Sequence, residues 1–268
     1  MIPLGYLLPT YSVLVQLLYK YSGFSKNTES LLATPRLWFS RPSGLNDPFE
    51  LRPRYKFKFE PHQLVEGFAR QLLRANPGMT SHTATAEATA IFLQGHHRDP
   101  KMWEDLKRDL TARLEKDIGV LCFSTVNDSI LMWSHYCQDH KGVCLGFEWS
   151  PHTPFFGRAL KVRYRRRMPS VDVYNTPHEK QIDQIFLTKF QDWKYENEWR
   201  VVDHDVGEGL QEYPASLLKV VIFGVNTSHR MRAAVRQWVE RRGHCVQFVE
   251  CLRDEKAFKL HLRNLNDA

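Results

Sequence analysis

The sequence predicts an α+β fold built on a mixed sheet, and three features of its pattern predict it. Strand-like runs gather toward the two ends of the chain and do not alternate strictly with helices, which argues against a doubly wound sheet. Between them, from Pro61 to Asp117, apolar residues recur at helical spacing: Leu64, Phe68, Leu72 and Leu73, then Met102, Leu106, Leu110 and Leu114. No repeat, low-complexity tract or long Gly/Ser linker divides the 268 residues. The expectation is one domain over 1–268 with a helical insertion at about 61–117.

The first strand is expected at Leu17 to Ser22 and a short helix at Thr28 to Ala33, capped by Asn27 or Thr28. Pro35 ends that helix, Arg36 to Ser40 read as the second strand, and Ser43 to Pro48 carry turn chemistry. Pro77-Gly78 and Asp99-Pro100 punctuate the helical stretch. Strands follow at Val120–Ser124, Gly142–Glu148, Ala159–Arg165, Glu198–Asp203, Leu217–Phe223 and Cys245–Cys251. Helices are expected at Ser129–Lys141, at Pro177–Phe190 with proline in the first position, and at Ser228–Arg242, ended by Gly243.

With 43% hydrophobic and 25% charged residues the chain can bury a core, which excludes wholesale disorder. The apolar run Val13 to Leu18 is too short to span a bilayer, and Met1 to Tyr6 lacks the basic segment of a secretory signal. A soluble, cytoplasmic protein with no membrane partner is expected. Five cysteines (Cys122, Cys137, Cys144, Cys245 and Cys251) are odd in number and unpatterned, as befits reduced thiols. A formal charge of +7 points to an anionic partner such as DNA or RNA, and says nothing of oligomeric state. The densest basic run is Lys161 to Arg167. Arg163, Arg165, Arg166 and Arg167 are candidate phosphate contacts there, or else a solvated strand edge guarded by charge.

Two blocks carry the residue types that do chemistry. On a helix from Ser129 to Lys141, Ile130, Met132, Trp133, Tyr136, Cys137 and His140 share one face. Trp133, Tyr136 and His140 then either line a pocket, with rings to stack a planar ligand and an imidazole to move a proton, or belong to the core. His135 and His140 point about 140° apart on such a helix. They do not converge on one ion, so no metal is expected. In the second block, a strand through Tyr195 to Arg200 places Glu196, Glu198 and Arg200 on one face, with alternate Cα atoms about 7 Å apart. The paired acids either grip a ligand or form ion pairs with Arg200 and nearby lysines.

Leu18-Tyr19-Lys20-Tyr21, Leu37 to Ser40 with Asn46 to Glu50, Met132 to Tyr136 with His140-Lys141-Gly142, and Trp193 to Arg200 resemble the motifs of a bacterial family known as a domain of unknown function. That resemblance covers residues 17–225 and implies no activity. The order of an aromatic and basic first strand, a hydroxyl-bearing strand and a late Glu-x-Glu also resembles the ADP-ribosyltransferases. This second resemblance implies a split, mostly antiparallel sheet and NAD as the substrate. Tyr19, Lys20, Tyr21 and Ser40 or Ser124 would hold NAD. Glu198 would orient the nicotinamide ribose and stabilise an oxocarbenium-like transition state, and Glu196 would position the acceptor.

The leading functional expectation is therefore an NAD-consuming ADP-ribosyltransferase or glycohydrolase, as a toxin or an anti-phage defence effector, modifying a nucleic acid or protein. Glu198, Glu196 and His140 are its catalytic candidates, and Trp133 and Tyr136 join its NAD site. The alternatives are a nucleic-acid-binding protein or metal-dependent nuclease, and a non-enzymatic interaction protein. For the nuclease, Asp47, Glu50, Glu148 and Glu198 are the available acids, and Arg230, Arg232, Arg236, Arg241 and Arg242 form an Arg-rich helix.

Overall fold

The computed structural model describes residues 16–25 and 28–265. Asn27, the segment Met1 to Tyr6 and the run Val13 to Val15 lie outside the described residues. The elements begin with β1 (Gln16–Ser22), α1 (Thr28–Ala33), β2 (Arg36–Phe39) and β3 (Arg54–Lys56). Three helices follow: α2 (Pro61–Ala75), α3 (Ser81–Leu93) and α4 (Pro100–Asp117). Next come β4 (Gly119–Ser124), α5 (Ile130–Tyr136), β5 (Val143–Trp149), β6 (Leu160–Lys161), β7 (Arg163–Arg165) and β8 (Ser170–Asp172). The rest are α6 (His178–Phe186), β9 (Thr188–Phe190), β10 (Glu198–Asp203), β11 (Gly209–Glu212), β12 (Leu218–Phe223), α7 (His229–Glu240), β13 (Gln247–Arg253) and β14 (Leu260–Asn264). The fold is α+β with mostly antiparallel strand pairing, as the sequence predicts. Among the described residues, no helix is long and apolar enough to cross a membrane.

The chain forms two compact units. The first comprises Met1–Arg36, Phe123–Arg158 and Glu212–Ala268, and holds the strand order β14-β13-β12-β5-β1, with Ser124 of β4 paired to Tyr19. Strand β5 is its hub. It runs antiparallel to β1 and to β12, and Val143 to Phe147 are buried. A continuous apolar run of this kind is what a strand covered on both faces requires. The parallel pair β12 and β13 is joined through α7, the crossover that parallel strands need. Ser228 caps α7 by accepting from the Met231 N–H (3.3 Å), and Val235 and Val239 bury its inner face.

The second unit comprises Leu37–Cys122 and Ala159–Gln211. In it β10 lies between β4 and β6, β3 pairs with β8, and β7 pairs with β9, the last two in parallel. The stretch expected to be helical is helical. Proline opens α2 and α4 at positions whose N–H has no helical partner in any case. Thr80 caps α3, accepting from the Thr83 N–H at 3.2 Å. Ala69, Ala84 and Ala88 let α2 and α3 approach closely. A separate apolar cluster gathers Leu51, Ile118, Val120, Phe186 and Leu187.

Several elements depart from the sequence expectation. The helix expected over Ser129–Lys141 stops at Tyr136, and Gln138, Asp139 and His140 take left-handed φ of 50°, 57° and 65°. Tertiary hydrogen bonds override the helical period. The His140 N–H reaches back to the Trp133 carbonyl (3.2 Å), and the His140 carbonyl accepts from the Asn226 N–H (3.0 Å). The Thr227 hydroxyl adds bonds to the Lys141 and Gly142 carbonyls (3.0 and 2.8 Å). Such bonds offset the cost of non-glycine residues in the left-handed region, about 1–3 kcal/mol each.

The helix expected at Pro177–Phe190 ends at Phe186, and Pro177 is its cap and not its first residue. Thr188 to Phe190 instead pair with Arg163 to Arg165. The strand expected at Ala159–Arg165 breaks into β6 and β7, and the last expected strand begins at Gln247 instead of Cys245.

At Gly142 the backbone closes tightly on the turn. A Cβ there would lie 2.2 Å from the Ser22 carbonyl oxygen and 3.1 Å from the Cys137 Cα. Gly142→Ala is expected to destabilise the protein by about 1–3 kcal/mol, the usual cost of forcing a methyl into a closed site. A thermal melt reads this directly, and an unchanged Tm would show that the turn has room to relax.

Candidate functional site

The Tyr195 to Arg200 block does not form one strand. Gln191–Glu196 make a 3₁₀ turn, Asn197 takes a left-handed φ of 44°, and β10 starts only at Glu198. Asparagine tolerates that conformation better than most residues. The two acids nevertheless converge, on a lysine that the sequence placed inside a helix. Lys189 of β9 donates from Nζ to Glu196 (2.6 Å) and Glu198 (2.9 Å), and pairs with Glu50 at 2.9 Å. Arg200 clamps Glu198 through both oxygens, Nε to Oε1 at 2.7 Å and Nη2 to Oε2 at 3.0 Å. It also bonds Glu50 and donates from Nη1 to the Phe186 carbonyl (3.0 Å). The Glu198 N–H donates to the Tyr164 hydroxyl at 2.8 Å.

All five charged residues are buried; Arg200 is 0% exposed and Glu198 3%. Burial alone would raise the Glu198 carboxyl, but Arg200 and then Lys189 outweigh it and hold the group at about 2. Burial would lower the Lys189 ammonium, and Glu198, Glu50 and Glu196 outweigh it and raise it. Burial, reinforced by Glu198, pushes the nearby Cys122 thiol up, so it is no thiolate nucleophile at neutral pH. Glu198 is therefore an ionised carboxylate with both oxygens taken, a weak base and no acid. The arrangement locks β9, β10 and the Asp47–Leu51 turn together.

Two of the locked residues, Glu50 and Lys189, also line a groove of about 360 Å³ that Arg165, Arg166 and Arg167 line as well. In β7, Arg163 and Arg165 face outward while Tyr164 turns inward, as the alternation in the sequence predicts. Arg163 pairs with Asp183 (2.8 Å), and Arg166 donates to the Gln191 side chain (3.0 Å). Among the described residues, Arg165 and Arg167 form no ion pair. Both also line a second groove of about 360 Å³, with Arg163 and Lys180. Ser40, in the same unit, exchanges backbone hydrogen bonds with Val120 at 2.9 and 2.8 Å.

The remaining candidates belong to the first unit. Tyr19 is half-buried and shares a side-chain hydrogen bond with Asn127; burial raises its hydroxyl pKa. Lys20 lies 6.0 Å from the Phe123 ring. The Tyr21 hydroxyl donates to the Val126 carbonyl (3.0 Å), and the buried Ser124 hydroxyl accepts from the Val126 N–H (3.0 Å). The expectation that Trp133 stacks a ligand is corrected. It is 0% exposed, its Nε1 donates to the Asn127 carbonyl (2.9 Å), and Tyr21 and His140 flank its ring at 5.3 and 6.4 Å.

Tyr136 is half-buried beside His135. His140 bonds the Ser134 hydroxyl through Nε2 (3.1 Å), and burial lowers its pKa, which favours the neutral ring. It lines a pocket of about 500 Å³ with Ile130, Asn226 and Phe258. Glu148 pairs with Lys219 (2.8 Å); in the second unit, Asp47 accepts from the Phe49 N–H (2.9 Å). Among the described residues, no group of three or more His, Cys, Asp or Glu side chains is placed to hold a metal ion.

Sequence reasoning missed Lys189, and missed that Glu50 joins Glu198 in one cluster. Lys189 follows Thr188 and precedes Phe190. A β-branched and an aromatic neighbour were the signal that it sat in a strand and not at a helix end.

A family model described as "Protein of unknown function (DUF2971)" matches residues 132–201. That span holds most of α5, the arginine run and the Glu196–Arg200 block, and it supports the resemblance to a domain of unknown function without an activity. No curated protein and no solved structure matches the chain.

Glu198→Gln keeps the shape and removes the charge, leaving Arg200 and Lys189 under-compensated in a buried site. It is expected to lower stability by about 3–5 kcal/mol in denaturant unfolding; a change below about 1 kcal/mol would show that the cluster is not energetically coupled. The Glu198 carboxyl sits at about 2, below its ordinary 4.5, so between those values the unfolded chain binds the extra proton. The stabilisation is thus complete above about pH 4.5 and is lost as pH falls toward about 2. The stability gap between wild type and Glu198→Gln should accordingly narrow on that acid limb. A gap that stays constant with pH would contradict the assignment.

Proposed function

We propose that this protein binds the phosphates of a nucleotide or nucleic acid through Arg165, Arg166 and Arg167. The observation that carries the reading is that Arg165 and Arg167 are exposed, have no ion-pair partner among the described residues, and line two adjoining grooves of the second unit. A guanidinium is a planar fork of donors that matches phosphate oxygens two at a time. One left without a carboxylate gives up no existing pair when it binds one. The overall charge of +7 adds a long-range attraction for polyanions.

Cleavage of NAD is the second reading, and one observation favours it. Lys189, which grips both Glu196 and Glu198, lines the arginine groove. A dinucleotide whose pyrophosphate lay on the arginines would bring its ribose toward the Glu-x-Glu. Glu198 would stabilise positive charge developing as the glycosidic bond breaks, once Arg200 and Lys189 had yielded some of their hold on it.

The test is binding of a labelled oligonucleotide across a range of salt, beside nicotinamide release from NAD. Phosphate binding predicts that Arg165→Ala and Arg167→Ala each weaken affinity and lower the slope of log K against log salt by about 1. Affinity and slope unchanged in both variants would sink the phosphate reading. Nicotinamide release that vanishes in a folded Glu198→Gln protein would promote the second reading, and no release with any acceptor would remove it.

A further inference from the structure

We propose that the ligand of the arginine groove is single-stranded nucleic acid, whose unpaired bases stack on Phe49 and Phe190. This rests on the phosphate reading and adds the ligand's class. Phe49 is 67% exposed and Phe190 44%, and both rings line the groove that Arg165, Arg166 and Arg167 line. Exposed phenyl groups carry a hydration cost that a folded chain relieves by burying them or covering them with a partner. Here they stand beside cations, the combination that grips a strand by its phosphates and its base faces at once.

The backbone makes these rings fixed platforms. Phe190 lies in β9 directly across from Arg165 of β7, so ring and guanidinium are neighbours on adjacent strands about 4.8 Å apart. Adjacent residues of a strand point to opposite sides, and Lys189 points inward to three carboxylates while Phe190 points out. Phe49 is placed in the same manner. Its N–H is held by the Asp47 carboxylate (2.9 Å), and the next residue, Glu50, is tied to Lys189 and Arg200. Each exposed ring is thus one residue from a buried charge that cannot move cheaply. Sites with such rigid support bind with less loss of side-chain freedom.

The class of nucleic acid follows from geometry. In a duplex the base faces are already stacked on one another and are closed to a phenyl ring. A mononucleotide offers a single base and would use one ring. Two rings, with arginines that continue into the adjoining groove toward Arg163 and Lys180, suit several consecutive nucleotides.

The experiment follows a single-stranded oligonucleotide carrying 2-aminopurine, whose fluorescence is quenched on stacking. Its matched duplex and a mononucleotide serve as comparisons. Wild type is compared with Phe49→Ala, Phe190→Ala and the pair Arg165→Ala/Arg167→Ala, each checked by thermal melt. The rings are exposed, so the phenylalanine variants are expected to fold.

The expected result is quenching by wild type, with duplex and mononucleotide bound more weakly. Each phenylalanine variant should lose about five- to a hundredfold in affinity with the salt slope unchanged. Loss of binding in the arginine pair alone would overturn base stacking and leave phosphate binding in place. Duplex or mononucleotide bound as tightly as the single strand would also overturn it. No binding by wild type at low salt would remove both readings.

Discussion

The second unit depends on one physical constraint, the burial of two cations among three carboxylates. Taking five charges out of water costs several kcal/mol per ion unless geometry and further hydrogen bonds offset it. Lys189 spends its donors on Glu50, Glu196 and Glu198, and Arg200 spends its own on Glu50, Glu198 and the Phe186 carbonyl. An apolar cluster of the same volume would hold these segments together as well. It would not dictate their directions. Apolar contacts are non-directional, whereas a bidentate arginine fixes both the distance and the plane of its partner. That is why β9, β10 and the turn before Leu51 present their other side chains in defined orientations, with Arg165 of β7 across from Phe190.

The first unit uses a different constraint. Its hub strand β5 is buried from Val143 to Phe147, so the turn that delivers the chain to it has little freedom. Three consecutive left-handed residues complete that turn, and Asn226 and Thr227 anchor it by bonding its carbonyls. Trp133 fills the space beneath. Gly142 and Gly224 stand where a side chain would collide with backbone, the second at 2.1 Å from the His140 carbonyl oxygen. Of the apolar face expected along this helix, Met132, Trp133 and Cys137 are buried, with Trp133 between Tyr21 and His140, whereas Ile130 is exposed and His140 leaves the helix for the turn.

What was legible in the sequence was whatever follows from local period. Leu64, Phe68 and Leu72 announced α2, and the alternation Arg163-Tyr164-Arg165 announced a strand with a cationic face. What was not legible depends on long-range partners. The helix after Ser129 was cut short by hydrogen bonds from residues 226 and 227, about ninety positions away, which no window of sequence contains. Lys189 looked like the end of a helix because its partner strand, β7, is set by tertiary pairing. Glu196 and Glu198 were expected to stand close together, and they do. Yet they meet through a left-handed Asn197 and a shared lysine, not by standing on one strand face.

The same spacing that suggested chemistry at Glu198 also carries its neutralisation. Residues two apart on a strand share a face, so Glu198-x-Arg200 sets a guanidinium beside the carboxylate with no help from the rest of the fold. Arg200 then takes both oxygens, and Lys189 completes the set. A ligand that needed Glu198 as a bare charge would have to separate buried partners. Leaving a buried charge unpaired costs about 3–5 kcal/mol, about two to four orders of magnitude in affinity. A ligand that needs Arg165 and Arg167 meets no such barrier, because those guanidinium groups line the groove and form no ion pair among the described residues. The cluster is accordingly better suited to supporting a binding face than to acting on what binds there. A motif of paired glutamates is read correctly only when the cation two residues further along is read with it.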